Sequence, residues 1–172
     1  MQSMRRDLFL YLALACFFGL IAIFVVDGYL GIYDTVYITA GEREQKIEPD
    51  EWLRQEKFGA RGVGVNRDEK AFFRYEVDNR RFSSYTADIE VSAWHSQQKV
   101  RDLISQQIQV AAFDKGQVEW TIDNTELLPG DIPPEQSYEY TVIIKRGEIE
   151  RKIIVYVNPA TYTSKPVPVP SR

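Results

Sequence analysis

A mainly β protein, one sandwich of about seven strands behind a single N-terminal transmembrane helix, is the fold class this sequence predicts. Three observations predict it. Leu8 to Val26 is a run of nineteen residues without a charge. From Lys70 onward, apolar and polar residues alternate with a period of two. Turn-forming residues punctuate the alternating runs.

The apolar run comes first. At about 1.5 Å of rise per residue, a helix of this length spans roughly 28 Å, close to the hydrocarbon core of a bilayer. A cleaved signal peptide would carry a shorter apolar core and a small-x-small cleavage site. Val25-Val26-Asp27-Gly28 offers no such site. Ala13-Leu14-Ala15-Cys16 loosely matches a lipobox, but the chain stays apolar to Val26, where a lipoprotein would turn polar. Cys16 therefore reads as a small apolar residue of the span. Arg5 and Arg6 precede the run, and the far flank has no Lys or Arg until Arg43. The positive-inside rule then places residues 1–7 in the cytoplasm and the rest of the chain, after the span, outside it. The expected location is the cell membrane, with a single pass.

The span holds no charge, no Asn, Gln or His and no proline, so it offers no ion or proton path. Ala15-x-x-x-Gly19, with Ala22 nearby, is a small-residue face that permits close helix packing in lipid. Tyr29 and Tyr33, four residues apart, suit the aromatic belt at a membrane surface if the helix continues to about Tyr33. Residues 8–33 are thus read as span and interfacial exit. The β-prone Thr35-Val36-Tyr37-Ile38-Thr39 follows at once. With almost no linker, the domain is expected to sit against the membrane.

That domain is read as residues 34–158. Gly41 to Glu69 reads as a polar stretch. Within it, Glu48-Pro49-Asp50-Glu51-Trp52-Leu53 has the proline and acids of a helix start, and Phe58 to Gly64 reads as a flexible loop. The glycines there lack the spacing and context of a dinucleotide site. Next come the alternating runs: Phe73-Tyr75-Val77, Ile89-Val91-Ala93, Ile108-Val110-Ala112, Val118-Trp120-Ile122, Tyr138-Tyr140-Val142-Ile144 and Ile153-Val155-Val157. Each set points to one face of a half-buried strand. Val100 to Ile104 is ambiguous between a strand and a helical turn. Lys145-Arg146-Gly147-Glu148 reads as a hairpin turn that needs a positive φ at glycine. Residues 159–172 form a tail whose Pro-Val-Pro-Val-Pro run favours extended, polyproline-like chain.

Leu127-Leu128-Pro129-Gly130 followed by Tyr138-x-Tyr140-x-Val142 resembles the corner before the sixth strand of immunoglobulin-like and fibronectin type III domains. The resemblance covers roughly Val118 to Val157. It implies an immunoglobulin-like sandwich in which a tyrosine hydroxyl ties back to the preceding loop. Such domains are scaffolds for recognition, and the fold alone assigns no function.

Composition narrows the chemistry. Removing Arg5, Arg6 and Asp7 from the 21 basic and 25 acidic residues of the chain leaves 19 and 24, a net of −5. A mildly acidic domain is a poor partner for nucleic acid, and none is expected. The one cysteine is in the span and His95 is the one histidine, so soft metal ligands are too few for a zinc, haem or iron–sulfur site. No nucleophile motif or calcium loop is present. The sequence therefore predicts no enzyme and no cofactor. It predicts a non-catalytic accessory or structural subunit of a larger membrane complex, contacting the lipid bilayer and other membrane protein subunits. The alternative is a membrane-tethered ligand- or peptide-binding module.

Overall fold

The computed structural model describes residues 2–48, 61–127, 132–133 and 135–159. The expected helix start at Pro49 to Leu53 and the tail beyond Pro159 lie outside the described residues. Among the described residues, one helix, α1 (Gln2–Leu30), precedes nine strands: β1 (Ile32–Ala40), β2 (Arg43–Ile47), β3 (Arg61–Asn66), β4 (Lys70–Asn79), β5 (Tyr85–His95), β6 (Gln98–Val110), β7 (Asp114–Asp123), β8 (Tyr138–Arg146) and β9 (Ile149–Asn158). A 3-10 turn, Asn124–Leu127, follows β7. Phe9–Asp27 of α1 is long and apolar enough to cross a membrane, and none of it is buried within the chain.

The strands form two sheets, ordered β2-β1-β4-β7 and β3-β9-β8-β5-β6. Every described pairing is antiparallel except β3 with β9. One core lies between the sheets. The first sheet supplies Val36, Ile38, Phe73, Tyr75, Val77, Val118 and Trp120, and the second supplies Ile89, Val91, Val142, Ile144, Ile153 and Val155. Each buried aliphatic side chain of this kind contributes about 1.5–3 kcal/mol. Phe73 stacks on Trp120 with ring centroids 5.3 Å apart.

The strand count exceeds the expected seven for physical reasons. β2 reads R-E-Q-K-I and is an edge strand whose side chains are mostly exposed, so it carries no apolar alternation. β3 reads R-G-V-G-V-N, in which Val63 and Val65 enter the core. Gly62 in it is a close-packing position rather than a loop hinge. A Cβ at Gly62 would collide with the ring of Tyr156 on β9. β6 runs through the ambiguous Val100 to Ile104, with register shifts against β5 that leave Val100 and Leu103 without partners in the β5 ladder, and stops at Val110, before Ala112.

Strand registers define two ends. Ile32 of β1 faces Asn79 of β4, and Asn79 faces Asp114 of β7. Tyr85 of β5 faces Val110 of β6. The β4–β5 loop, the β6–β7 turn and the β8–β9 turn therefore lie at the end where α1 enters. The 3-10 turn and the β5–β6 turn lie at the far end. The β8–β9 turn is Gly147-Glu148, with Gly147 at φ +58°.

Candidate functional site

The helix-proximal end gathers the groups with unusual chemistry. Its first element is the helix exit. Gly31, at φ +62°, caps α1, and β1 begins at the next residue. Glycine has no Cβ penalty in this left-handed conformation, so it stops the helix. α1 thus ends at Leu30 rather than near Tyr33. Tyr29 stands on the last helical turn, 84% exposed. Tyr33 lies in β1, where the ring stacks under Arg80, whose guanidinium carbon is 4.5 Å from the ring centroid. The two tyrosines therefore do not share a helix face. Asp27 grips the domain: the Phe82 backbone N–H donates to Asp27 Oδ1 at 2.5 Å, and Arg81 Nε lies 3.8 Å from Asp27 Oδ2.

The second element is a buried polar network between the sheets. Asp34 and Arg146 have side chains only 2% and 3% exposed. The Tyr75 hydroxyl donates to Asp34 Oδ2 at 3.0 Å, and Arg146 Nε donates to the Tyr75 oxygen at 3.0 Å. Arg146 Nη1 donates to the Tyr85 hydroxyl at 2.8 Å. Arg151 makes a forked contact, Nε to Asp34 Oδ2 at 3.0 Å and Nη2 to Asp34 Oδ1 at 3.1 Å. Arg146 Nη2 lies 3.7 Å from the same carboxylate. Asp34 and Tyr75 belong to one sheet, and Tyr85, Arg146 and Arg151 to the other, so the network bolts the two together. Burial first, and then the Asp34 charge, push the Tyr75 hydroxyl well above the usual tyrosine range. It stays a proton donor to Asp34.

Sequence reading missed this network. Arg146, which the sequence places in a hairpin turn, extends the inward phase of Val142 and Ile144. Asp34 likewise shares the inward phase of Val36 and Ile38. A charged residue in register with an apolar face was the available signal.

The outer face of the first sheet is aromatic and charged. Arg74 lies over the Tyr37 ring at 4.2 Å and Lys46 at 5.8 Å. Beside them is a cleft of about 430 Å³, lined in part by Tyr37, Phe72, Arg74 and Glu119. A second cleft of about 300 Å³ holds Tyr33, Lys46, Glu76 and Lys115, with Lys115 Nζ 2.7 Å from Glu76 Oε1.

The remaining predicted residues lie elsewhere. Ala15, Gly19 and Ala22 stand on α1, and the space beside Gly19 is open, with nothing but the helix's own chain within 4 Å of where a Cβ would sit. His95 ends β5 at the far end. Among the described residues, no group of three or more His, Cys, Asp or Glu side chains is placed to hold a metal ion. At the far end, the Tyr138 hydroxyl donates to the Asn124 backbone carbonyl and the Tyr140 hydroxyl donates to Asn124 Oδ1 at 2.9 Å. Both tyrosines thus tie back to the preceding turn.

No family model matches the chain, and no curated protein matches it. Partial likenesses to solved structures exist. A beta-glucosidase from Listeria innocua matches at 13% identity and a TM-score of 0.43, over 56% of this chain and 15% of that one. The periplasmic chaperone SfaE matches at 17% identity and a TM-score of 0.42, over 59% of this chain and 55% of that one. A family 123 glycoside hydrolase from Clostridium perfringens matches at 6% identity and a TM-score of 0.38, over 71% of this chain and 27% of that one. The chain thus spans about half the length of the chaperone and far less of the two hydrolases. Likeness at this level says nothing about activity.

Proposed function

We propose that the chain is a single-pass membrane protein whose immunoglobulin-like sandwich serves as a non-catalytic accessory or structural subunit of a larger membrane complex. Arg5 and Arg6 favour a cytoplasmic N-terminus and an extracytoplasmic domain. The tyrosine tie to Asn124 supports the immunoglobulin-like reading.

One observation carries the proposal. Only Gly31 separates α1 from β1, and Asp27 on α1 binds the β4–β5 loop. The domain is held at a set height and tilt on its helix. A subunit that meets a neighbour at a fixed place needs such a pose, whereas a free-reaching binder gains from a flexible linker. The helix face of Ala15, Gly19 and Ala22 is then available to a neighbouring span.

Purification of the tagged full chain in mild detergent tests this reading. Stoichiometric co-purifying membrane proteins are the expected result, and a lone monomer overturns it. Gly19→Leu should leave insertion intact but reduce partner recovery, because leucine holds the helix backbones apart. Unchanged recovery would make α1 a mere tether.

The cleft beside Tyr37, Phe72 and Arg74 favours a second reading, a membrane-tethered ligand- or peptide-binding module. Under it, Phe72→Ala with Arg74→Ala abolishes ligand capture while Gly19→Leu does not.

A further inference from the structure

We propose that Phe82 and Phe113 form an aromatic wedge that inserts into the bilayer interface beside α1, as a second membrane contact of the domain. The proposal rests on the reading that α1 spans the membrane, and it adds a lipid-binding surface formed by two loops far apart in sequence.

Four observations point to lipid. The first is exposure. Phe82 and Phe113 are 49% and 59% exposed, and their rings meet edge to face with centroids 4.9 Å apart. Exposed single apolar residues are ordinary, but two stacked rings contributed by separate turns form a shared tip. The second is depth. The Phe82 backbone N–H donates to Asp27, the residue that ends the apolar stretch of α1. Where that stretch ends, the hydrocarbon core gives way to the interface, the layer that aromatic rings favour. The wedge is therefore pinned by a hydrogen bond to the level of the bilayer surface.

The third observation is preorganisation. Asn79, fully buried, donates through Nδ2 to the carbonyls of Ser83 at 2.9 Å, Val110 at 3.3 Å and Ala111 at 2.9 Å. Asn79 Oδ1 accepts from the Arg81 backbone N–H at 3.2 Å. One side chain thus clamps the loop that carries Phe82 to the turn that carries Phe113. The fourth is backbone conformation. Phe113 sits at φ +56°, a left-handed conformation that bulky residues rarely adopt and that glycine or asparagine adopts easily. The ring carried at that position is mostly exposed.

The attraction is apolar rather than electrostatic. Arg80 Nε is paired with Asp78 at 2.9 Å and Arg81 with Asp27, so the neighbouring cations are already engaged within the chain. The wedge should therefore enter an uncharged bilayer as readily as an anionic one.

The test uses the full chain in phosphatidylcholine nanodiscs. In a Cys16→Ser background, Phe82→Cys, Phe113→Cys and Val100→Cys each receive an environment-sensitive fluorophore. Val100 is an exposed apolar control on β6 near the far end. A separate sample carries the label on native Cys16, within the span. The expected result is blue-shifted emission at positions 82 and 113, quenched by lipid with a doxyl group high on the acyl chain, and water-like emission at position 100. Cys16 should be quenched by a deeply placed doxyl group. Quenched Cys16 with water-like emission at 82 and 113 overturns the wedge and leaves the span reading intact. Blue-shifted emission at 82 and 113 that doxyl lipid does not quench also overturns it, because the rings then meet protein, such as a second copy of the chain. An unquenched Cys16 overturns the span reading and the wedge together. Replacing part of the phosphatidylcholine with an anionic lipid should not change the shift; a shift that appears only with anionic lipid overturns the apolar account.

Discussion

Each end of the sandwich is closed by one fully buried asparagine, but the two do opposite things. At the far end, Asn124 donates to the carbonyls of Asn66 at 3.0 Å and Glu69 at 2.7 Å and accepts the Tyr140 hydroxyl, while its own carbonyl accepts the Tyr138 hydroxyl. Aromatic side chains there turn inward and spend their polar tips on the clamp. At the helix-proximal end, Asn79 bonds only backbone groups, and the aromatic side chains on the clamped loops point outward. The same amide, with two donors and an acceptor oxygen, can seal an end or present it. What differs is whether the neighbouring rings carry hydroxyls. Tyr138 and Tyr140 have a polar handle to satisfy, and Phe82 and Phe113 have none.

The helix-proximal end also holds the charge, so the largest effect should arise there. Arg146→Ala takes the donor from the buried Tyr75 hydroxyl and the half-buried Tyr85 hydroxyl, and leaves the buried Asp34 to Arg151 and Tyr75. With Arg151 still on the carboxylate, the cost is expected at the lower end of that for a broken buried pair, about 3 kcal/mol, read as a drop in the denaturation midpoint of the full chain in detergent. A loss below about 1 kcal/mol would mean that Arg151 and water compensate Asp34 without Arg146. At the far end, Asn124→Ala takes the side-chain partner from the Glu69 carbonyl and the Tyr140 hydroxyl, and leaves the Asn66 carbonyl with the Glu69 N–H alone. Its expected cost is about 2–3 kcal/mol. If the far-end variant proves the more damaging, the ranking of the two ends is wrong.

What was legible in the sequence follows the same division. α1 and the alternating strands are written in apolarity and period, which report burial on one face directly. β2 and β3 are not. β2 buries little beyond Ile47, and β3 alternates valine with glycine, so its pattern is read as flexibility. The end of α1 was signalled by Gly31, a helix stop that the aromatic spacing of Tyr29 and Tyr33 obscured. The buried network stayed hidden because Asp34 and Arg146 break the rule that inward positions are apolar, and only the facing sheet supplies their partners. Phe82 and Phe113 sit in turns 31 residues apart in sequence, and nothing local says that one asparagine brings them together.

A smaller effect comes at high pH, where the far-end hydroxyls add to that of Tyr75. Burial pushes the Tyr138 hydroxyl up to about 12 and raises Tyr140 still further, with the neighbouring Tyr138 adding to the rise. An unfolded tyrosine titrates near 10. Below that pH the hydroxyls are protonated in both states, and their contribution is complete. As pH rises from about 10 toward 12, the unfolded chain releases its protons first, so stability must fall. Tyr138→Phe should flatten the decline in denaturation midpoint across this window. A midpoint that stays level there in the unsubstituted protein would show that the far-end hydroxyls are open to solvent.

The smallest effect is expected at Phe113, and its size carries the sharpest contrast with Arg146. Phe113→Asn relieves a left-handed conformation that costs a non-glycine residue about 1–2 kcal/mol. It also forfeits an edge-to-face contact with Phe82 worth about 0.5–1.5 kcal/mol. The two terms oppose each other, and the ring is mostly exposed, so little burial is lost with it. Stability in detergent should therefore change by less than about 1 kcal/mol in either direction. A loss above about 2 kcal/mol would show that Phe113 belongs to the core of this end, and the outward-facing description would fail. A near-zero change says that the strain and the ring contact offset each other and that the fold does not need the ring. The same end of the sandwich then contains both the costliest side chain to remove and one of the cheapest, separated by whether each faces the other sheet or the bilayer.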